Sequence, residues 1–170
     1  MALLCVVLCI IKGNHMNSLI KTENVTLETL TNALDAAAID WLPHDENAVY
    51  VTGHAFPAFQ KIDSDRNFVV IWTYLDLVPC AETTEILDFV NGLNRRLVML
   101  QFTFDPETHR MFGHYVLSYR DGFNPAQIIR AGRTFADIFR DAGNEGIGQR
   151  LLKPLEQCVE ADEFSGNTTH

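Results

Sequence analysis

The chain has 170 residues, of which 47% are hydrophobic and 21% are charged, and its formal net charge is −9 at pH 7. This length and composition are typical of one globular domain with its own core. The acidic charge argues against a nucleic-acid surface, because the pair Arg95-Arg96 is too small to form a basic face. The four cysteines have no paired spacing, which predicts no disulfide framework and favours a reducing, cytoplasmic location.

The first fifteen residues are expected to be a translated leader that does not belong to the fold. The apolar run 2–11 is too short to cross a membrane, which takes about 20 such residues. A signal peptide would require a basic residue before the apolar run, and this chain has none there. Lys12-Gly13 can be encoded by a purine-rich stretch that resembles a ribosome-binding site, so we expect translation to start at Met16. An exported or lipid-anchored form is the alternative.

A helix and three strands are predicted next. Thr26 is placed to cap a helix whose apolar stripe reaches Trp41, and Pro43 with the polar residues after it should end that helix. The three strands are predicted at 49–51, 56–62 and 68–77. The third strand is apolar on both faces. This pattern predicts either a central strand that is covered on both sides or a face that a partner buries.

A second helix should run directly into a strand between residues 82 and 104. The apolar residues at helical spacing are Ile86, Phe89, Val90, Leu93 and Leu97. The residues that then alternate at strand spacing are Val98, Leu100, Phe102 and Phe104. A polar loop at 105–109 and a strand at 110–119 complete an antiparallel hairpin.

The last predicted helix begins with Asn124 as its cap and Pro125 as its first residue. Gly143 should end it, and a shorter amphipathic helix should follow between Ile147 and Leu155. The residues from 160 to 170 are acidic, small and polar, and we expect them to form a disordered tail.

These elements predict an α+β fold with a single antiparallel sheet and packed helices. Their order is α-β-β-β-α-β-β-α plus a C-terminal helix. Together with the phrase Phe89-Val90-Asn91-Gly92-Leu93-Asn94-Arg95-Arg96 and the helix start Asn124-Pro125, this order resembles the YbjN family of bacterial sensory transduction regulators. The resemblance covers residues 25–142 and implies one domain over 24–159 with a type III secretion chaperone-like fold. It also implies a regulatory or chaperone-like role, without catalytic or ligand residues to assign.

No motif in the sequence predicts a chemistry. The run 63–67 opens like a calcium loop, but phenylalanine stands where the loop requires its glycine and tyrosine where it requires glutamate. The glycine-rich run 143–148 does not follow a strand, as a nucleotide-binding loop would. His44 and His54 are expected in solvated loops. We therefore predict no catalytic residue, no metal and no cofactor, and a protein that is not an enzyme.

The expected function is protein binding through apolar surface. The candidate partner-binding residues are Phe56, Phe59, Trp72, Tyr74 and Asn91. Asn91 would bind the backbone of a partner strand, or would simply lie at a helix end. The partner is a protein, with a homodimer as one possibility, and neither nucleic acid nor a membrane span is expected. The alternatives are a small ligand-sensing domain and a self-associating structural protein.

Overall fold

The computed structural model describes residues 19–154, which form three α-helices and six strands. The helices are α1 (Leu27–Ala36), α2 (Thr83–Arg96) and α3 (Pro125–Gly148). The strands are β1 (Trp41–Asp45), β2 (Ala48–Val51), β3 (Ala58–Asp63), β4 (Phe68–Asp76), β5 (Gln101–Asp105) and β6 (Arg110–Ser118). The predicted leader at 1–15 and tail at 160–170 lie outside the described residues.

The strands form one antiparallel sheet in the order β1-β2-β3-β4-β6-β5. The hairpin ladders β1–β2, β2–β3, β3–β4 and β5–β6 are each antiparallel, as short connections between neighbouring strands require. The predicted fold class, a single antiparallel sheet with packed helices, is therefore confirmed.

The described chain groups into two compact units. The first unit comprises residues 19–72 and 115–137, and the second comprises residues 73–114 and 138–154. The boundaries between them fall within β4, β6 and α3.

In the first unit, α1 begins as predicted. The Thr26 side chain accepts a hydrogen bond from the Thr29 backbone N–H, and the Thr29 hydroxyl accepts one from the Thr26 N–H. Residues 19–24 are tied to the loop before α3, because Ile20 and Phe123 exchange two backbone hydrogen bonds of 2.9 and 2.7 Å. The core of this unit contains Leu30 and Leu34 of α1, Val49, Val51, Val69 and Ile71 of the sheet, and Ile128, Ala131 and Phe135 of α3.

The prediction that α1 reaches Trp41 is wrong, and so is the count of three strands before α2. The helix ends at Ala36, and Ala38 adopts a left-handed φ of 51° that turns the chain. Trp41 starts β1, which pairs with β2. Pro43 is compatible with this strand because β1 lies at the edge of the sheet, where a missing N–H donor is tolerated.

Strand β4 alternates strictly between buried and half-exposed residues. Val69, Ile71, Thr73 and Leu75 are buried, whereas Val70, Trp72 and Tyr74 are half-exposed. The apolar pattern on both sides of this strand therefore reflects one buried face and one face that the described residues leave partly open.

In the second unit, four of the five residues predicted for the stripe of α2 are confirmed, because Ile86, Phe89, Val90 and Leu93 are all buried. The fifth, Leu97, follows the last residue of the helix and is half-exposed. The predicted strand start is wrong. Val98 is 94% exposed in a turn, and β5 begins only at Gln101. Helix α2 ends at Arg96, so a few residues of turn are needed before the chain can run as a strand.

The end of α3 also differs from the prediction. The Asn124 side chain accepts a hydrogen bond from the Gln127 N–H, as expected of a cap, but the helix continues past Gly143 to Gly148. No separate helix begins at Ile147. A side chain at Gly146 would collide with Leu152, so glycine there allows close packing and does not end the helix.

Candidate functional site

Four aromatic rings lie side by side on the half-exposed face of the first unit. Tyr50, Phe59 and Trp72 are cross-strand neighbours on β2, β3 and β4. The Phe59 ring stacks on Trp72 with centroids 5.2 Å apart. The centroids of the Tyr50 and His44 rings lie 4.8 and 4.6 Å from that of Phe59. We call these four residues the aromatic patch.

The patch offers apolar and stacking surface with one positive charge near it. Leu42 pairs with Tyr50 across the β1–β2 ladder and is 57% exposed, so it extends the apolar area. Lys61 lies two residues beyond Phe59 on the same face of β3 and is exposed. Aromatic side chains grouped on an accessible face are typical of surfaces that bind another protein, whereas a lysine is more common at the rim of such a surface or outside it.

The structure brings together only some of the predicted site residues. Phe59 and Trp72 are in ring contact within the patch. Phe56 lies in the loop before β3, because the strand starts at Ala58. Tyr74 belongs to the second unit, where Arg110 lies 3.9 Å over its ring. Asn91 is exposed on α2.

Sequence reasoning missed two members of the patch, Tyr50 and His44. The alternation of Val49, Tyr50 and Val51 could have shown that Tyr50 points away from the core. Its position beside Phe59 depends on the β2–β3 register, which no local pattern specifies. His44 was missed because β1 was not predicted.

Both edge strands of the sheet carry features that hinder pairing with another strand. In β1, Pro43 has no N–H to donate. In the second unit, the Asn94 amide donates to the Phe102 carbonyl at 2.9 Å, and its oxygen accepts from the Phe102 N–H at 2.8 Å. The side chain of α2 thereby occupies the backbone groups of β5 that a partner strand would use.

Half-buried His54 and fully buried Gln60 form a polar pair on the other face of the first unit. His54 and Gln60 both face Gly132 of α3, where a Cβ atom would lie 2.8 Å from His54 Nε2 and 2.9 Å from Gln60 Nε2. His54 Nε2 and Gln60 Oε1 are buried without a hydrogen-bond partner among the described residues. His54 lies in a loop, as expected, but its ring is only half-exposed and its Nε2 atom is shielded from solvent, because glycine at position 132 leaves room for the ring.

Acidification is expected to destabilise the protein through His54. Burial lowers the pKa of His54 below its ordinary value, nearby Arg133 lowers it further, and Asp137 opposes them. The folded state therefore binds fewer protons, so its stability is complete above the unfolded-state pKa and falls as the pH drops towards the folded-state pKa.

Thermal melting of the wild type and of His54→Gln between pH 7.5 and 5 checks this effect. We expect the variant to lose less stability than the wild type on acidification. Equal pH dependence of the two proteins would contradict the expectation. Burial also lowers the pKa of His114, so a residual dependence should persist in the variant.

Residues 19–154 contain no cluster of three or more histidine, cysteine or acidic side chains that could hold a metal ion. None of the helices in this range is both long and apolar enough to span a bilayer. The second unit carries two open concavities, of about 510 and 440 Å³.

The family model described as "YbjN: Putative bacterial sensory transduction regulator" matches residues 26–145, well over half of the chain. The chain belongs to the YbjN family. No curated protein sequence matches it. The resemblance inferred from the element order and from the asparagine-containing phrase of α2 is thereby confirmed.

Solved structures share the YbjN fold at low sequence identity. The crystal structure of YbjN from E. coli, described as a putative transcription regulator, matches with a TM-score of 0.69 and 17% identity, over 81% of this chain and 99% of that one. An uncharacterized protein from Methanothermobacter thermautotrophicus matches with a TM-score of 0.53 and 15% identity, over 74% and 99% of the two chains. A chain of the HopA1-SchA chaperone-effector complex matches with a TM-score of 0.50 and 10% identity, over 66% and 88%. The expected chaperone-like fold is thus confirmed.

Proposed function

We propose that this YbjN-family chain is a non-catalytic, cytoplasmic module that binds a segment of another protein on its aromatic patch. The observation that carries the proposal is the half-exposed stack of Phe59 on Trp72, with Tyr50 and His44 beside it. Aromatic side chains bury a large area at a small entropic cost, and they dominate the energetics of protein interfaces.

The edges of the sheet favour binding on its face. A partner that added a strand beside β1 would meet Pro43, which offers no N–H, and one beside β5 would compete with Asn94 for the Phe102 backbone. Binding on the patch, in contrast, uses side chains and needs no free backbone groups at an edge of the sheet. We therefore expect a partner segment to lie across the rings.

The comparisons support a binding role. The family description is that of a sensory transduction regulator and not of an enzyme. One neighbour in fold comes from a complex between a chaperone and an effector, in which two proteins associate. A regulator that acts by binding a protein segment agrees with both.

Site-specific photo-crosslinking tests the proposal. The photo-reactive residue p-benzoylphenylalanine replaces Phe59 in one variant and Leu87 in the control, and both are expressed in the source cells. Leu87 is an exposed apolar residue of α2 and lies outside the patch. We expect a covalent adduct with a second protein at position 59 but not at position 87, identified by mass spectrometry.

The captured protein then allows a quantitative measurement. Trp72→Ala should weaken its affinity by about 30-fold or more, the effect typical of an interface hot spot, whereas Leu87→Ala should leave it unchanged. Thermal melting of both variants checks that they fold. Identical adducts at both positions, or wild-type affinity of Trp72→Ala, would refute the proposal. An adduct between two copies of this chain would instead favour the self-associating structural protein.

A further inference from the structure

A lysine without a charged partner stands beside the rings of the aromatic patch. Lys61 lies two residues beyond Phe59 on the same face of β3, and its cross-strand neighbours are Ala48 of β2 and Val70 of β4. It is exposed and has no ion-pair partner among residues 19–154. An uncompensated positive charge therefore lies at the rim of an apolar surface.

The acids closest to this lysine along the strands do not neutralise it. Asp63, which follows Lys61 on the same face of β3, accepts the Arg66 N–H at 3.1 Å and lies 3.9 Å from the Arg66 guanidinium. Asp45, at the end of β1, accepts the Asn47 N–H at 2.8 Å. Neither carboxylate is within ion-pair distance of Lys61. The ammonium group is thus available to a carboxylate from outside the chain.

A second cation extends the positive rim. The Arg120 guanidinium lies 5.8 Å from the centroid of the Phe68 ring, and Phe68 shares the half-exposed face of β4 with Val70 and Trp72. Arg120 is exposed and, like Lys61, has no ion-pair partner in the described part of the chain. Two unpaired positive charges therefore lie beside the apolar face of the first unit, although the formal net charge of the chain is −9.

We infer that the protein segment bound on the aromatic patch is acidic, with aspartate or glutamate next to its apolar anchors. This inference rests on the function proposed above and names the chemistry of its partner. While an apolar side chain covers Phe59 and Trp72, a carboxylate two residues further along an extended segment, about 7 Å away, reaches the Lys61 ammonium. Charges at the rim of an interface mainly decide specificity. A basic segment would bring like charges together and is disfavoured.

The test uses the full chain and three fluorescein-labelled peptides, with binding followed by fluorescence anisotropy. In each peptide phenylalanine and a variable residue alternate with serine between them, and the variable residue is aspartate, asparagine or lysine. We expect the wild type to bind the aspartate peptide about three- to fivefold more tightly than the asparagine peptide, as exposed ion pairs allow, and to bind the lysine peptide most weakly. These preferences should fade as the salt concentration rises.

Substitutions separate the charge from the rings. Lys61→Gln should lower the preference for aspartate over asparagine to less than about twofold, and Lys61→Glu should make the lysine peptide the tightest ligand. Lys153→Gln is the matched control, because it changes the net charge equally at a lysine of the second unit that lies 3.7 Å from Asp76. It should keep the wild-type preference. Trp72→Ala should weaken the binding of all three peptides, because it removes a ring of the patch.

The inference and the proposed function fail by different results. Equal affinity of the wild type for the aspartate and asparagine peptides would overturn the inference, as would no binding of the aspartate peptide or equal losses of preference in Lys61→Gln and Lys153→Gln. Wild-type binding of the peptides by Trp72→Ala would instead count against the patch itself. Circular dichroism checks that each variant folds, and substitution of the exposed side chain at position 61 is compatible with the fold.

Discussion

Phe139→Ala is expected to lower the free energy of unfolding by about 3–5 kcal/mol, which is the usual cost of removing a buried phenylalanine ring from a core. Phe139 is fully buried in the second unit and stacks on Phe102, with centroids 6.0 Å apart. Chemical denaturation followed by circular dichroism measures the loss. A change below about 1 kcal/mol would show that the ring is not in the core.

The same ring makes Gly113 sensitive to substitution. A Cβ atom at Gly113 would lie 2.5 Å from the Phe139 ring, so Gly113→Ala should cost about 1–3 kcal/mol. In a Phe139→Leu background the smaller side chain relieves the overlap, and the cost of Gly113→Ala should fall. Gly148→Ala is the matched control, because a Cβ there meets nothing within 4 Å. Additive effects of the changes at positions 113 and 139 would contradict this explanation.

Asn94→Ala is expected to destabilise the second unit by about 1–3 kcal/mol, because it leaves the Phe102 N–H and carbonyl without their side-chain partner. Asn91→Ala is the matched control. It makes the same change on the same helix at an exposed site, so it should alter stability by no more than about 0.5 kcal/mol. Denaturation of the two variants under one condition gives the difference.

The loss of the Asn94 side chain should also leave the Phe102 N–H and carbonyl, at the edge of β5, available to pair with another strand. We expect Asn94→Ala to associate at high concentration in light scattering, while Asn91→Ala behaves as the wild type. Asn94→Asp keeps an acceptor for the Phe102 N–H and loses the donor, so its stability should be intermediate. Equal stability of the alanine variants at positions 91 and 94 would show that the paired hydrogen bonds contribute nothing measurable.

Helix and strand periodicity was sufficient to predict most elements of this fold. The stripe of α2 and the alternation of β4 are long and regular, and both match the burial that the structure shows. The N-terminal caps were equally reliable, since Thr26 and Asn124 bind the backbone as their positions predict. These signals depend on residues that are close together in the sequence, so a single sequence is enough to recognise them.

The errors arose where distant residues decide the local structure. Trp41 continues the helical stripe of α1, yet its pairing with Val51 places it in a strand. Gly143 would end an isolated helix, but it is buried within α3. Of the two asparagines in α2, the one with a structural role is Asn94, and only the position of β5 reveals this. The aromatic patch likewise required the registers of three ladders.

The alternation of β4 limits how this chain can vary in length. Removing one residue from the middle of the strand would turn Trp72 towards the interior and Ile71 towards water, so a deletion there would disrupt both faces at once. The exposed turn at 64–66 before it has no such constraint. Relatives of this protein should therefore gain and lose residues in that turn. In β4 they should keep the number of residues the same and differ only by substitutions.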